Sequence, residues 1–350
     1  MNTNRSSRRD FLSRSICLGI PAIAAGPLGK ISAISEQQES GNQVTSKASL
    51  SVTDENSSPG VKITEAENII RVEINGKLFT EYNFKNVPRP YFYPVIGPTG
   101  VPVTRNWPMK EGPNEEKDHS HHRSLWYAHG AINGVDFWTD GEKNGNIVHD
   151  KFLRIESGKD KGVIQSQNKY VAADGKLICT DTRTHTFHNR FGEQIMDFDI
   201  MFHASQGEVV LGDTKEGSMA IRLAPSMRLK GVVGQGHIVN SEGVRDENTW
   251  GKRAEWCDYY GPMNGEIVGV AIFDNPQNPK HPTWWHVRDY GLFAANPFGI
   301  SDFEQKPKGT GNITIPSGES MTFKYRLYFH KGDQEQGKAA ERYKEYIEEK

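Results

Sequence analysis

Short segments in which apolar and polar residues alternate make up most of the chain after Val61. Alternation with a period of two places one set of side chains on each face of a β-strand. Gly, Pro and Asn residues separate these segments, and Asn75-Gly76 between two of them is the pair favoured in a two-residue hairpin turn. The pattern therefore predicts a chain folded largely from antiparallel strands.

Most strands can be assigned from this alternation, and one helix can be assigned from a different spacing. Ala339, Tyr343, Tyr346 and Ile347 recur at helical intervals near the C-terminus. Because helices and strands do not alternate along the chain, we predict an all-β fold: a large antiparallel two-sheet β-sandwich with one C-terminal α-helix. Pro94 cannot donate a ladder hydrogen bond, which predicts an edge position for its strand. The predicted strands cover residues 68–74, 77–84, 91–96, 163–172, 176–188, 194–203, 218–223, 266–274, 284–288, 291–295, 312–315 and 319–330.

The strand over 176–188 carries a polar stripe of Thr180, Thr182, Thr184 and Thr186. Such a stripe most often faces water, but in a large concave sandwich it can also line a binding groove. The sequence leaves both interpretations open.

The first sixty residues have a different character. Ser7-Arg8-Arg9-Asp10-Phe11-Leu12 matches the twin-arginine export pattern, and the apolar run that follows is too short to span a bilayer. We therefore predict a signal peptide over residues 1–30, a disordered linker over 31–60 and a single β-sandwich domain over 61–350. The protein is expected to be periplasmic or secreted, without membrane insertion.

The charge of the chain limits the classes of partner that it is expected to bind, and its cysteines limit its redox chemistry. The formal net charge is −2 and the chain has no basic block, which argues against nucleic acid and acidic membranes as partners. The expected partner is a small molecule or an oligosaccharide substrate. Cys179 and Cys257 either form one disulfide or remain buried thiols.

Two segments depart furthest from ordinary composition. Residues 118–138, DHSHHRSLWYAHGAINGVDFW, hold four of the twelve histidines among aromatic side chains, and residues 281–291 again combine His, Arg and Trp. Imidazole serves as a general acid, a general base or a metal ligand near neutral pH. We expect the two segments to converge on one concave face, because pockets gather polar groups from several loops. The alternative is that these histidines are simply solvated.

Acid–base chemistry is the first interpretation of these segments. Histidine exchanges protons with substrate, and arginine holds a carboxylate or an oxyanion through its planar donors. Tryptophan stacks on sugar rings or packs in the core, and the adjacent Trp284 and Trp285 point in opposite directions, so at least one is expected in the core. The predicted catalytic residues are His122, His286, Arg123 and Arg288. The predicted substrate-binding residues are Arg105, Trp107, Trp126, Trp285, Asp289 and Tyr290.

A divalent metal is the second interpretation. His119 and His121 would share one face of a strand and supply two ligands. His286 or His129 would then supply the third. The carboxylates that could orient an imidazole are Asp136, Asp258 and Asp289.

Four stretches, residues 97–108, 118–126, 133–138 and 285–299, resemble a family of exported bacterial proteins called PmoA-like, or "methane oxygenase PmoA". The resemblance extends over nearly all of the chain after the linker. It implies an all-β domain similar to the galactose-mutarotase supersandwich. The family name also implies an oxygenase.

Three functions follow as hypotheses. The leading one is an exported carbohydrate-active enzyme, a lyase, hydrolase or epimerase, that uses His/Arg acid–base chemistry. The alternatives are a metal-dependent oxygenase, as the family name suggests, and a non-catalytic carbohydrate-binding sandwich. Metal analysis separates the oxygenase from the other two, and sugar binding without turnover identifies the third.

Overall fold

The computed structural model describes residues 59–190 and 192–349. The predicted signal peptide and nearly all of the predicted linker lie outside these residues. Within them the chain forms two α-helices, α1 (Ile300–Phe303) and α2 (Ala339–Glu348), and eighteen strands. The strands are β1 (Val61–Glu65), β2 (Ile69–Ile74), β3 (Lys77–Asn83), β4 (Tyr91–Val95), β5 (Leu125–His129), β6 (Asn146–Glu156), β7 (Lys161–Val171), β8 (Leu177–Arg190), β9 (Glu193–His203), β10 (Val209–Leu211), β11 (Gly217–Arg222), β12 (His237–Asn240), β13 (Trp256–Met263), β14 (Glu266–Asp274), β15 (Trp284–Val287), β16 (Leu292–Asn296), β17 (Ile313–Ile315) and β18 (Ser320–Lys331).

Sixteen of these strands form two eight-stranded sheets. The first sheet has the order β1-β2-β3-β4-β5-β11-β16-β15, and the second has the order β12-β13-β14-β18-β9-β8-β7-β6. The ladders within both sheets are antiparallel. The predicted all-β antiparallel sandwich with a C-terminal helix is confirmed.

The two sheets pack face to face through large apolar side chains. Phe79 of β3 contacts Phe187 of β8 at 5.9 Å between ring centroids, and Tyr127 of β5 contacts Phe198 of β9 at 6.3 Å. In β9 the even-numbered residues from 196 to 202 are buried, and the residues between them face outward. Burial of these rings supplies the main hydrophobic driving force of the fold.

The hairpin between β2 and β3 turns as its sequence predicts. Asn75 and Gly76 have φ angles of 51° and 73°. Positive φ at both central residues is the geometry of the type I′ turn, which matches the twist of the flanking strands.

Pro94 does not lie on an edge strand, so that prediction is wrong. β4 lies between β3 and β5 in the first sheet. It pairs with β5 only at Tyr91 and Phe92, and its register with β3 shifts between Thr80 and Tyr82. The missing N–H of Pro94 therefore falls beyond the end of the β5 ladder and within the irregular stretch of the β3 ladder.

Helix α2 covers part of the outer face of the second sheet. Tyr343 and Tyr346 are buried, and their ring centroids lie 5.8 Å and 6.1 Å from that of Phe273. Ile347 is 42% exposed. The prediction that Ile347 belongs to the buried face is wrong: Tyr346 packs against the sheet, and Ile347, one residue later, points away from it at the margin of that face.

Three further features bear on the predictions from sequence. Cys179 and Cys257 are buried free thiols, and burial raises the pKa of each. The threonine stripe faces outward from β8, where the Thr182 hydroxyl lies 2.8 Å from His203 Nε2, and its use as a binding groove stays a prediction. In the described ranges, no helix combines the length and the apolar character needed to cross a bilayer.

Candidate active site

Residues 119–122 form a tight turn ahead of β5. The N–H of His122 donates to the carbonyl of His119 at 2.9 Å, and His119 has a φ of 40°. A positive φ interrupts an extended chain. The expectation that His119 and His121 share a face of one strand is therefore wrong.

Four rings form a continuous stack beside this turn. Tyr290 lies 5.2 Å from His119 with their planes 10° apart, and His119 lies 4.7 Å from His122 with planes 13° apart. His122 in turn lies 5.3 Å from Trp126. Trp126 is fully buried, whereas the side chain of His119 is 41% exposed. The stack therefore holds His119 firmly at the boundary between the interior and solvent.

Asp118 orients the His119 ring. One Asp118 oxygen accepts from Arg105 Nη1 at 2.6 Å and from Arg222 Nη2 at 3.0 Å, and the other lies 2.5 Å from His119 Nδ1. Burial opposes ionisation of Asp118, but hydrogen bonds from His119 and Arg222 and the charges of both arginines outweigh it. The pKa of Asp118 therefore lies far below its ordinary value. An ionised Asp118 makes Nδ1 the protonated nitrogen and leaves Nε2 for proton exchange.

His122 is held differently. Its side chain is only 1% exposed, and Arg222 Nη1 donates to its Nδ1 at 2.9 Å. A guanidinium can only donate, so this nitrogen carries no proton. Burial and the charge of Arg222 lower the pKa of His122 well below its usual value. Such a ring is suited to positioning Arg222 and less suited to exchanging protons with a bound substrate.

His286 lies on the same face of the first sheet as this cluster. A row of directly paired residues runs across β5, β11, β16 and β15, and it consists of Trp126, Ala220, Ala294 and His286. Directly opposed residues point to one face, and three strand spacings place His286 about 14 Å from Trp126. Burial and the charges of Lys215 and Arg288 lower the pKa of His286 to about 3. The two histidines predicted as a catalytic pair therefore share a face but lie apart.

The two segments converge through Tyr290 and Arg288. Tyr290 belongs to the ring stack, and Arg288 Cζ lies 5.5 Å from the Tyr290 centroid and 5.8 Å from that of Trp250. In the described part of the chain, the Arg288 side chain makes no ion pair or hydrogen bond, and only its backbone atoms do so. A cavity of about 270 Å³ lies against it, lined by Glu247, Trp250, Val287, Arg288 and Asp289.

The other predicted site arginines have protein partners. Arg123 donates to Asp140 at 2.7 Å. Arg105 is buried on Asp118 and also donates to the His119 carbonyl at 2.6 Å. Both guanidiniums therefore have a carboxylate partner, which leaves Arg288 as the predicted site arginine without one among the described residues.

Two of the predicted substrate-binding tryptophans are core residues, so those predictions are wrong. Trp285 is fully buried on the face of β15 toward the second sheet, where Nε1 donates to the Ala254 carbonyl at 3.0 Å. Trp126 is covered by His122 and by Trp138, whose ring centroid lies 5.2 Å away. Trp107 is half-buried under Lys117 Nζ at 5.3 Å.

The predicted orienting carboxylates serve other purposes. Asp136 accepts from the backbone N–H of Trp138 at 2.7 Å and so closes a turn. Asp258 does hold an imidazole, His330 Nε2 at 2.7 Å, but this pair is buried in the second sheet. Asp289 lies 3.4 Å from Lys230 Nζ. The carboxylate that orients a site histidine is Asp118, which sequence reasoning missed because adjacency alone did not reveal the turn.

The predicted metal ligands are only partly together. His119 and His121 have ring centroids 5.7 Å apart. His129 is fully buried, with Nε2 2.8 Å from the Gly212 carbonyl, and His286 lies across the sheet. Among the described residues, no three His, Cys, Asp or Glu side chains are grouped to hold a metal ion. The divalent metal stays a prediction.

A cavity of about 840 Å³ lies elsewhere, lined by residues that include Lys77, Thr99, Gln194 and Lys331. Among the described residues no histidine lines it, and Lys331 is paired with Glu266 at 2.7 Å. The Asp118–His119 pair, which is suited to acid–base chemistry, lies at the other site.

Comparison with known proteins gives a family and distant structural likenesses. The model of DUF6807, described as a family of unknown function, matches residues 70–344. A search of curated proteins finds no match. The family match does not bear on the PmoA-like name, so that resemblance stays a prediction.

The expected likeness to galactose mutarotases is found among solved structures. The chain is similar to a galactose 1-epimerase from Lactobacillus acidophilus (8% identity, TM-score 0.35, covering 79% of this chain and 100% of that one). It is similar to a galactose mutarotase-like protein from Clostridium acetobutylicum (10% identity, TM-score 0.33, covering 77% of this chain and 95% of that one). It is also similar to a GH36 α-galactosidase from Geobacillus stearothermophilus (9%, 0.40), covering 78% of this chain but only 41% of the galactosidase.

Proposed function

This chain belongs to the DUF6807 family, whose function is unknown, and from its site we propose that it is an exported carbohydrate-active enzyme of the lyase, hydrolase or epimerase type. The observation that carries the proposal is the Asp118–His119 pair at the exposed end of a ring stack. A carboxylate on Nδ1 fixes the imidazole tautomer and stabilises the imidazolium formed when Nε2 takes a proton. His119 therefore acts as the general acid–base residue.

The surroundings of His119 suit a sugar. Tyr290 and Trp250 are half-buried rings that border the site, and such rings offer apolar faces with a polar tip. Arg288 offers planar donors to substrate oxygens. Arg105, Arg222 and the buried His122 hold Asp118 and the ring stack in place, so we assign them positioning roles.

The test is turnover on a panel of glycosides and oligosaccharides. His119→Ala is expected to lower the rate by about 10²–10⁴ and to change the melting temperature little, because the side chain is partly exposed to solvent. His237→Ala is a matched control: this exposed histidine also lies beside an aspartate, with Nδ1 3.4 Å from Asp246 Oδ1, but on β12 of the second sheet. Full turnover by His119→Ala would overturn the assignment.

The two alternative functions give different results in the same experiments. Sugar binding without turnover by any panel member identifies a binding module. Stoichiometric metal in the purified protein, with activity lost on chelation and restored by one metal, identifies the metal-dependent enzyme that the PmoA-like resemblance implies.

A further inference from the structure

Arg288 is a cation with unused hydrogen-bonding capacity at the edge of a cavity. Two aromatic rings lie against its guanidinium, those of Trp250 and Tyr290. The described residues provide it with no carboxylate and no carbonyl acceptor, whereas Arg253, which also lies over an indole, donates to three backbone carbonyls. Arginine has five N–H donors in a planar fork that fits a carboxylate.

The acidic residues near Arg288 are already engaged. Glu247 and Asp289 line the same cavity, but Lys230 Nζ lies 2.8 Å from Glu247 and 3.4 Å from Asp289. Asp118 is shared between Arg105 and Arg222, so one carboxylate there faces two guanidiniums. The two cavity carboxylates are therefore paired with Lys230, and neither is paired with the Arg288 guanidinium.

Arg288 is also close to the proposed acid–base group. His119 and Arg288 both lie within 5.5 Å of the centre of the Tyr290 ring. The Tyr290 ring is stacked on His119, and the guanidiniums of Arg222 and Arg288 lie over it at 4.6 Å and 5.5 Å. A sugar bound at the edge of Tyr290 can therefore reach both groups at once, with one substituent on the Arg288 guanidinium and a ring carbon or glycosidic oxygen near His119.

We propose that Arg288 binds the carboxylate of an acidic sugar, so that the substrate class is uronic acids or oligosaccharides that contain them. The proposal rests on the proposed carbohydrate function. The carboxylate forms paired hydrogen bonds with the guanidinium, and Trp250 and Tyr290 support the sugar ring. A sugar sulfate presents a related anion, and a guanidinium binds planar and tetrahedral oxyanions alike through two donors, so the titrations below distinguish the two anions.

The test measures binding and not turnover, so its failure is separable from failure of the proposed enzyme activity. Wild-type protein is titrated with sugars, and binding is followed by NMR or calorimetry. The sugars are glucuronate, galacturonate and mannuronate, the neutral parent sugar of each, and galactose 6-sulfate. At least one uronate is expected to bind about tenfold or more tightly than its parent, and more tightly than the sulfated sugar. The preference should weaken with added salt.

Variants assign the preference to one residue. Arg288→Gln is expected to abolish the preference with an unchanged melting temperature, and His119→Ala is expected to keep it. Arg154→Gln, which removes one exposed cation on β6, is the control for charge alone. The proposal is overturned if no uronate is preferred, if the sulfated sugar is preferred, or if the preference survives in Arg288→Gln. Uronate binding without turnover supports the Arg288 site and counts against the enzyme.

Discussion

His119 and His122 lie next to each other in one ring stack, yet their partners give them opposite properties. The nitrogen of His119 faces a carboxylate, which favours a protonated Nδ1, whereas the nitrogen of His122 faces a guanidinium, which requires an unprotonated one. The first ring is partly exposed and the second is buried. Both residues belong to the same His-rich segment, so composition could not separate these roles.

This contrast predicts different outcomes for two alanine variants. His122→Ala removes the acceptor of a buried Arg222 donor and is expected to lower the free energy of unfolding by about 1–3 kcal/mol, with loss of rate as Asp118 and Arg222 shift. His119→Ala is expected to lose rate while its stability changes by less than about 0.5 kcal/mol. Urea unfolding and turnover, measured on both variants, check this. A His122→Ala protein as stable as wild type would contradict the positioning role.

A second residue-scale prediction concerns the buried pair of Asp258 and His330. Burial lowers the pKa of His330, but the charge and hydrogen bond of Asp258 raise it more, so the pKa lies above its ordinary value. A group whose pKa is higher in the folded state than in the unfolded state stabilises the protein. This contribution is complete below the unfolded-state pKa of about 6.5, and it is lost as the pH rises through the folded-state pKa.

Asp258→Asn is therefore expected to destabilise the protein by about 3–5 kcal/mol near pH 6 and by less near pH 9. The measurement is the free energy of unfolding of both proteins across this range, taken as a difference so that other titrating groups cancel. A difference that stays constant with pH would show that the pair does not titrate as described.

At the scale of elements, the sequence pattern predicted most of the long strands, including β11, β15 and β16, which are buried on both faces, but it missed others. β9 alternates and was predicted, whereas all five residues of β5 are buried, because the second sheet covers one face and loops cover the other. Strands buried on both faces lose the period-two pattern. β6 was missed for another reason: two register shifts, after His149 and Phe152, change the phase of its pattern.

The same limit applies to the site. The sequence located both segments, and the structure brings them to one sheet face through Tyr290 and Arg288. It did not reveal that residues 119–122 turn sharply or that Asp118 is shared by two arginines. The contact between Asp118 and Arg222 joins residues 104 positions apart, which local patterns do not encode.

Helix α2 offers an element-scale prediction with an internal control. Tyr343→Ala removes a buried ring that packs on Phe273 and is expected to cost about 3–5 kcal/mol of unfolding free energy. Ile347→Ala, one turn later, alters a side chain that is 42% exposed and is expected to cost far less, within about 0.5–1 kcal/mol. Thermal or urea unfolding decides the matter, and equal losses would show that the helix docks differently.

At the scale of the whole molecule, the first sheet has two distinct faces. One packs on the second sheet through Tyr127 and Trp285, and the other carries Trp126, Ala220, Ala294 and His286 beneath the site loops. The sandwich core and the site are therefore built on opposite sides of the same strands, so a site loop can vary without repacking the core.

The proposed export route is consistent with how this molecule is held together. Cys179 and Cys257 are free and buried, so the described fold uses no disulfide and does not require an oxidising compartment to form. A chain that folds in the cytoplasm suits the twin-arginine route, which carries folded proteins and reads the arginine pair as its address.

Arg8→Lys combined with Arg9→Lys is therefore expected to leave folded precursor in the cytoplasm, with the melting temperature of the exported protein. Arg14→Lys, outside the pair, should export normally. Cell fractionation and thermal unfolding of each fraction make the comparison, and an unchanged periplasmic yield of the double variant would refute this route.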